Sequence, residues 1–253
     1  MAAKPRFLKA AIGFLVGLGV GGVVAWSLAR PPKPGGSKTH GDDAALVKGL
    51  LAEDLSDRRF SFAAIAEACS GKMVLPLDDS EAHLRVTTAI REALVATLAE
   101  MNKEDAPVRQ LRRINEASRF FEDGLLARID AMPGLSCGIP PTRSGDHQRS
   151  GYPDLRIVDE ASGAVFYLDP KLVEQNSVAS TFRTFYFEPK DETLKITDDA
   201  VHLLVGIEHD GQTRRWTFTG WRLVDLSTLQ VRLKAEFQAS NKELYEGVKS
   251  ETP

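Results

Sequence analysis

Leu111, Ile114, Ser118, Phe121, Leu125 and Ile129 mark one face at intervals of three and four, and Pro107 ahead of them suits a first helical turn. This spacing predicts one helix running from about Pro107 through the stretch RRINEASRFFEDGLLARID. A second long helix is predicted over Ser80 to Asn102, with Leu84, Ala89, Leu94 and Leu98 among its apolar positions. Two shorter ones precede it, one after the cap-like acids Asp42-Asp43 and one from Ser61 to Cys69. From Leu135 onward the period shortens to that of strands, in LRIVD, AVFYL, HLLVGIEHD, RWTFTGWRLVDL and VRLKAEFQ. Asp159-Glu160-Ala161-Ser162-Gly163 between the first two is turn chemistry, which makes them a hairpin. The segment Val173 to Phe187 fits either a helix or a strand, with a connecting helix favoured, followed by a strand at His202. Helices, hairpin, connecting helix and further strands together describe an α+β domain, a central mixed sheet flanked by helices.

The amino-terminal pattern is different. Between Lys9 and Arg30 lie about 20 residues without a charge, enough for a transmembrane helix. An uncleaved single-pass anchor over residues 1–30 is the expectation, with a flexible Pro- and Gly-rich tether at 31–43 and the folded part at 44–253. The alternative is a cleaved signal segment, since Ser27-Leu28-Ala29 has small-x-small character, and the mature chain would then be secreted. Basic residues flank both ends of the run, so the side of the membrane is weakly specified, with an extracytoplasmic domain slightly favoured. Gly13, Gly17 and Gly21 form a small-residue ladder of the kind that supports a homodimer.

Charge adds a constraint. Residues 1–41 hold six basic side chains and no acids, which leaves 26 basic against 35 acidic residues in the remainder. The folded part therefore has no overall basic field, and any contact with nucleic acid must come from a local patch or from bound cations. Cys69 and Cys137 have no metal-ligand spacing and exclude a zinc ribbon, while one disulfide between them stays possible in an oxidising compartment.

Candidate chemistry sits at the hairpin ends. Pro153-Asp154 heads the LRIVD run and Asp169-Pro170-Lys171 closes the AVFYL run, so the hairpin brings Asp154 and Asp169 to the same end of the sheet. Two adjacent carboxylates repel unless a cation joins them, and hard oxygen ligands suit Mg²⁺ or Mn²⁺. Lys171 shares the face of Asp169 by period-two alternation, where an ammonium orients water and stabilises charge on a phosphorane-like transition state.

Pro153-Asp154 followed by Asp169-Pro170-Lys171 resembles the PD-(D/E)xK nuclease superfamily, the restriction-endonuclease-like fold. The resemblance implies that Asp154 and Asp169 bind a divalent metal, that Lys171 serves the nucleophile, and that an upstream helix acid completes the site. Glu116, in the polar cluster Arg113-Asn115-Glu116-Arg119, is the first choice for that acid, and Glu122, which flanks the apolar face, is the second. Pro170 departs from the pattern because it has no N–H for a ladder, although its carbonyl remains for the metal. The similar Glu188-Pro189-Lys190 lacks a hairpin partner.

Arg143, His147 and Arg149 in the loop before Pro153, and Arg183 beyond the motif, are candidates for contact with substrate phosphates, with Lys195 a weaker one. The expected function is a membrane-anchored, Mg- or Mn-dependent nuclease acting on DNA or RNA, with DNA the expected partner. The alternative is an inactive tethered domain of the same fold that binds nucleic acid or protein.

Overall fold

The structure is a computed structural model that describes residues 40–53, 58–180 and 185–234, and the single positions 240, 244 and 247. The apolar run at 10–29, its glycine ladder, the tether up to residue 39 and Arg183 lie outside the described residues. Among the described residues no helix is long and apolar enough to cross a membrane.

Residues up to Leu51 form a unit of their own, whose described part is helix α1, His40–Ala52, without its last residue. The remainder of the chain is the second unit. It begins with strand β1, Arg59–Ser61, then α2, Phe62–Ser70, β2, Val74–Leu75, and the long α3, Glu81–Met101. After two 3-10 turns come α4, Ser118–Asp130, β3, Leu135–Gly138, β4, Leu155–Asp159, and β5, Val165–Glu174. Strands β6, Ala200–His209, β7, Phe218–Asp225, and β8, Gln230–Arg232, follow.

Six strands make one mixed sheet. β3 pairs with β4 and β4 with β5, both antiparallel, whereas β5 and β6 run parallel over nine residue pairs. β6 also carries β2 in parallel near its start and β7 antiparallel along the rest. β1 and β8 form a separate antiparallel pair.

Side-chain alternation along β5 divides the core. Phe166 and Leu168 join the larger cluster with Val86, Ile90 and Leu94 of α3 and Phe121, Leu125 and Ile129 of α4. Tyr167 points the other way, into a smaller cluster with Phe62, Tyr152 and Leu194. Removing each large apolar side chain from water contributes about 1.5–3 kcal/mol, so the two long helices are held chiefly by these faces. On α3 the buried face runs through Val86, Ala89, Ile90, Ala93, Leu94 and Thr97, and Leu84 is left 49% exposed.

Two sequence expectations are corrected. The helix from Pro107 is not continuous: 3-10 turns at Pro107–Gln110 and Ile114–Ala117 precede α4, with Leu111 extended between them. Trp216 is the physical cause. Its backbone N–H donates to Arg109 O at 3.2 Å and its indole N–H to Leu111 O at 2.8 Å, taking carbonyls that an α-helix would need internally. The connecting helix over Val173 to Phe187 is also absent among the described residues. β5 continues to Glu174, a 3-10 turn covers Gln175–Ser177, and Phe185 and Phe187 then pack on Phe62 at centroid distances of 5.5 and 5.7 Å while Tyr186 between them is exposed. That burial has period two, which a helix cannot supply. Cys69 and Cys137, between which the sequence leaves a disulfide open, are free thiols.

Candidate active site

β4 and β5 place the acids. Their register pairs Leu155 with Leu168, so Asp154 lies just beyond that pair and comes opposite Asp169. A cis peptide joins Tyr152 to Pro153 immediately ahead of it. Asp169 is 2% exposed, whereas the Asp154 side chain is 15% exposed. Lys171 binds both: its ammonium is 2.6 Å from Asp169 Oδ2 and 3.3 Å from Asp154 Oδ2.

Pro170 fits this arrangement better than its sequence context suggests. β4 pairs with β5 no further than Leu168, so Pro170 stands where β5 has β6 alone for a neighbour. Its carbonyl accepts a 3.4 Å hydrogen bond from Lys171 Nζ, so that side of the strand is turned to the site. A proline at an edge position sacrifices no ladder bond on the open side, and the expected cost to the sheet is largely avoided.

Burial, and then the Asp154 carboxylate, push the Asp169 carboxyl up to about 8 against the opposing pull of Lys171. Burial works against the Lys171 ammonium, but Asp169 and Asp154 outweigh it and the net shift is upward. Lys171 is therefore the charged member, and the two acids compete for its compensation. Asp169 Oδ2 is buried and, despite its closeness to Nζ, accepts no well-directed hydrogen bond.

Glu122 of α4 adjoins the pair. Burial and then Asp154 raise its carboxyl, while Arg149 and Lys171 lower it. Arg149 holds it at 3.3 Å and clamps Asp123 at 2.5 Å. Glu116, the first choice from sequence, and Glu122, the second, stand in different surroundings. Glu116 is an exposed residue of the second 3-10 turn, which runs directly into α4, and among the described residues it makes no ion pair to the site.

Lys195 is a larger surprise. It is fully buried, donates to Arg149 O at 3.3 Å, and its lowered pKa is caused by burial, with Asp154, Glu122 and Asp169 pulling it back up. Lys195 lies in a segment without strand or helix periodicity, so the sequence marks it only weakly. Its placement depends on Gly151, whose backbone lies against Thr193: a Cβ at Gly151 would stand 2.5 Å from Thr193 O, and its φ of +88° is left-handed. Gly151→Ala is expected to destabilise the chain by about 1–3 kcal/mol and to displace the loop leading into Asp154, seen as a lower Tm with a loss of activity.

The other candidates are dispersed. Arg143 donates to the carbonyls of Cys69 and Ser70 at the end of α2 and approaches Asp191, and His147 is exposed. Lys190 is spent on Glu188 at 2.6 Å, so the second acid-Pro-Lys run is an exposed ion pair.

Among the described residues no set of three or more His, Cys, Asp or Glu side chains is placed to hold a metal ion. The oxygen set at the hairpin is two carboxylates and the Pro170 carbonyl. A hard divalent cation fits that set, because it would relieve the carboxylate repulsion that the Lys171 ammonium now offsets.

Comparison with known proteins gives a family. Residues 55–248 match the model of the type II restriction enzyme MjaV family. The type II restriction enzyme MjaV of Methanocaldococcus jannaschii is 28% identical over 212 residues, covering 79% of this chain and 91% of that protein. The family match spans nearly all of the second structural unit, including every residue of the hairpin site, and the chain thus belongs to the type II restriction enzyme MjaV family.

Proposed function

We propose that this protein is a divalent-metal-dependent endonuclease that hydrolyses phosphodiester bonds of duplex DNA, with an active site of the PD-(D/E)xK type on a restriction-endonuclease-like sheet. The observation that carries the reading is the convergence of Asp154, Asp169 and Lys171 at one hairpin end, with Lys171 Nζ within 3.3 Å of both acids. Family membership supplies the substrate class.

Asp154, Asp169 and the Pro170 carbonyl would hold Mg²⁺ or Mn²⁺. When bound, such a cation supplies Lewis-acid stabilisation of charge on the phosphoryl oxygens and lowers the pKa of coordinated water. Lys171, freed from neutralising the carboxylates, directs its ammonium at the incoming water and at charge developing on phosphorus. Glu122, oriented by Arg149, adds a further acceptor beside Asp154 for a proton or a coordinated water. Lys195 offsets the accumulated negative charge from inside the fold. Water oxygen bonds to phosphorus, one P–O ester bond breaks, and the departing oxygen takes a proton.

The test is incubation of the purified chain with a mixed pool of duplex DNA in Mg²⁺, in Mn²⁺ and in chelator. Cleavage in metal that stops with chelator is the expected result. Absence of cleavage with every duplex and both metals, alongside retained DNA binding, would leave the non-catalytic binding domain.

A further inference from the structure

The first 3-10 turn, Pro107–Gln110, with the residues flanking it, and the loop between β6 and β7 enclose a depression of about 680 Å³, lined by Glu104, Arg109, Gln110, Arg112, Arg214 and Arg215. Four of its six lining residues are arginines, and one is an acid. Among the described residues, none of these arginines has a carboxylate within 4.0 Å, whereas Arg85, Arg128, Arg149, Arg156 and Arg222 each do. In a chain whose residues from 42 onward hold 26 basic against 35 acidic side chains, available acids outnumber the arginines. A cluster left without them is a local positive site in a negative field.

The cluster is also held in place. Arg109 Nε donates to Trp216 O at 3.1 Å, and Trp216 returns bonds to the carbonyls of Arg109 and Leu111. Asp210 closes the loop from within, accepting from Gln212 and Thr217 N–H groups through Oδ1. Arg214 sits between them at φ +64°, a conformation that L residues rarely adopt. Arg112, Arg214 and Arg215 are exposed, so their guanidinium groups stand on a fixed backbone with their donors open to a ligand.

One wall of the depression leads into an element that carries the proposed active site, and the other runs out of β6, the parallel neighbour of β5. The 3-10 turns lead into α4 and Glu122, and the β6–β7 loop begins at His209, the partner of Glu174 five residues along β5 from Asp169. Five strand residues span about 17 Å, close to five base-pair steps at about 3.4 Å each. We infer that this arginine cluster is a docking site for the phosphodiester backbone of the DNA duplex, gripping the substrate on one flank of the bond presented to Asp154 and Asp169. Guanidinium groups suit that ligand because their forked N–H pairs match phosphate oxygens.

The inference rests on the reading of the chain as a DNA-cleaving enzyme, and the experiment separates the two. Duplex binding is measured in chelator over a series of salt concentrations for the parent, for Asp154→Ala, and for the triple variant Arg112→Gln/Arg214→Gln/Arg215→Gln, which leaves the structural Arg109 intact. The triple variant is expected to bind about 10- to 100-fold more weakly near physiological salt. Its plot of log affinity against log salt should be shallower by about 2–3, since each lost phosphate contact removes about 0.9 from the slope. Asp154→Ala removes an acid and no phosphate contact, so its slope should not become shallower. A triple variant that is folded by circular dichroism and keeps the parental slope overturns the docking site, even where the parent cleaves DNA. A parent that cuts nothing but shows the arginine-dependent slope overturns the enzyme reading and leaves the docking site standing. No duplex binding by the parent overturns both.

Discussion

Asp169→Asn is expected to reduce DNA cleavage by on the order of 10⁴-fold while leaving the metal-free chain folded, with a Tm equal to or above that of the parent. The two outcomes have one cause. Asp169 is nearly inaccessible and faces a second carboxylate, so its ionised form is tolerated only through Lys171. The amide keeps the shape and removes the repulsion, which is why stability is retained or gained. It also removes a charged oxygen from the cation, and a site with Asp154 and one carbonyl remaining is a poor trap for Mg²⁺. The measurement pairs a cleavage assay with a thermal melt in chelator. A variant that cuts at the parental rate removes Asp169 from the site; one that loses both activity and fold makes Asp169 a structural residue instead. Lys171→Met separates the roles further: a fall of about 10²- to 10⁴-fold in rate with metal affinity preserved is the signature of a group acting on water and phosphorus.

The parts of this site that the sequence displays are those whose placement is local. Asp154, Asp169 and Lys171 lie within one hairpin, where the five-residue Asp159–Gly163 turn and the alternation of LRIVD and AVFYL determine which side chains meet. No information from elsewhere in the chain is needed to bring them together. The mixed sheet follows in the same way from strands of sufficient length, and its parallel β5–β6 pairing requires only a crossover between them.

What escaped notice depends on partners distant in sequence. The helix predicted from Pro107 is broken because Trp216, more than a hundred positions later, claims the carbonyls of Arg109 and Leu111. The aromatic residues near Phe185 have no helical role because Phe62 and Tyr152 draw alternate rings to one side. Lys195 is buried beside the acids because the loop at Gly151 rests on the Thr193 backbone, a close approach between two irregular segments that periodicity does not register.

Glu122 and Glu116 turn that lesson into the sharpest test of the site. On an α-helical wheel Glu122 flanks the apolar face and the polar cluster around Glu116 attracts the functional assignment, but the turn at Ile114–Ala117 that leads into α4 is wound as a 3-10 helix, so the α-helical wheel does not describe Glu116. Glu122 is only 16% exposed, bonded to Arg149 and charge-coupled to Asp154, whereas Glu116 is exposed on the turn. Glu122→Gln is therefore expected to lower kcat/KM by about 10- to 100-fold, the range found when a group that supports a metal centre loses its charge. Glu116→Gln should change it by less than about threefold, as for an ordinary surface position. Both substitutions are isosteric, so thermal melts should show little difference between them and the cleavage assay decides. A loss confined to Glu116→Gln would return the third acid to the turn, and would mean that the segment from Arg113 to Ala117 rearranges over the carboxylate pair when metal and DNA are bound.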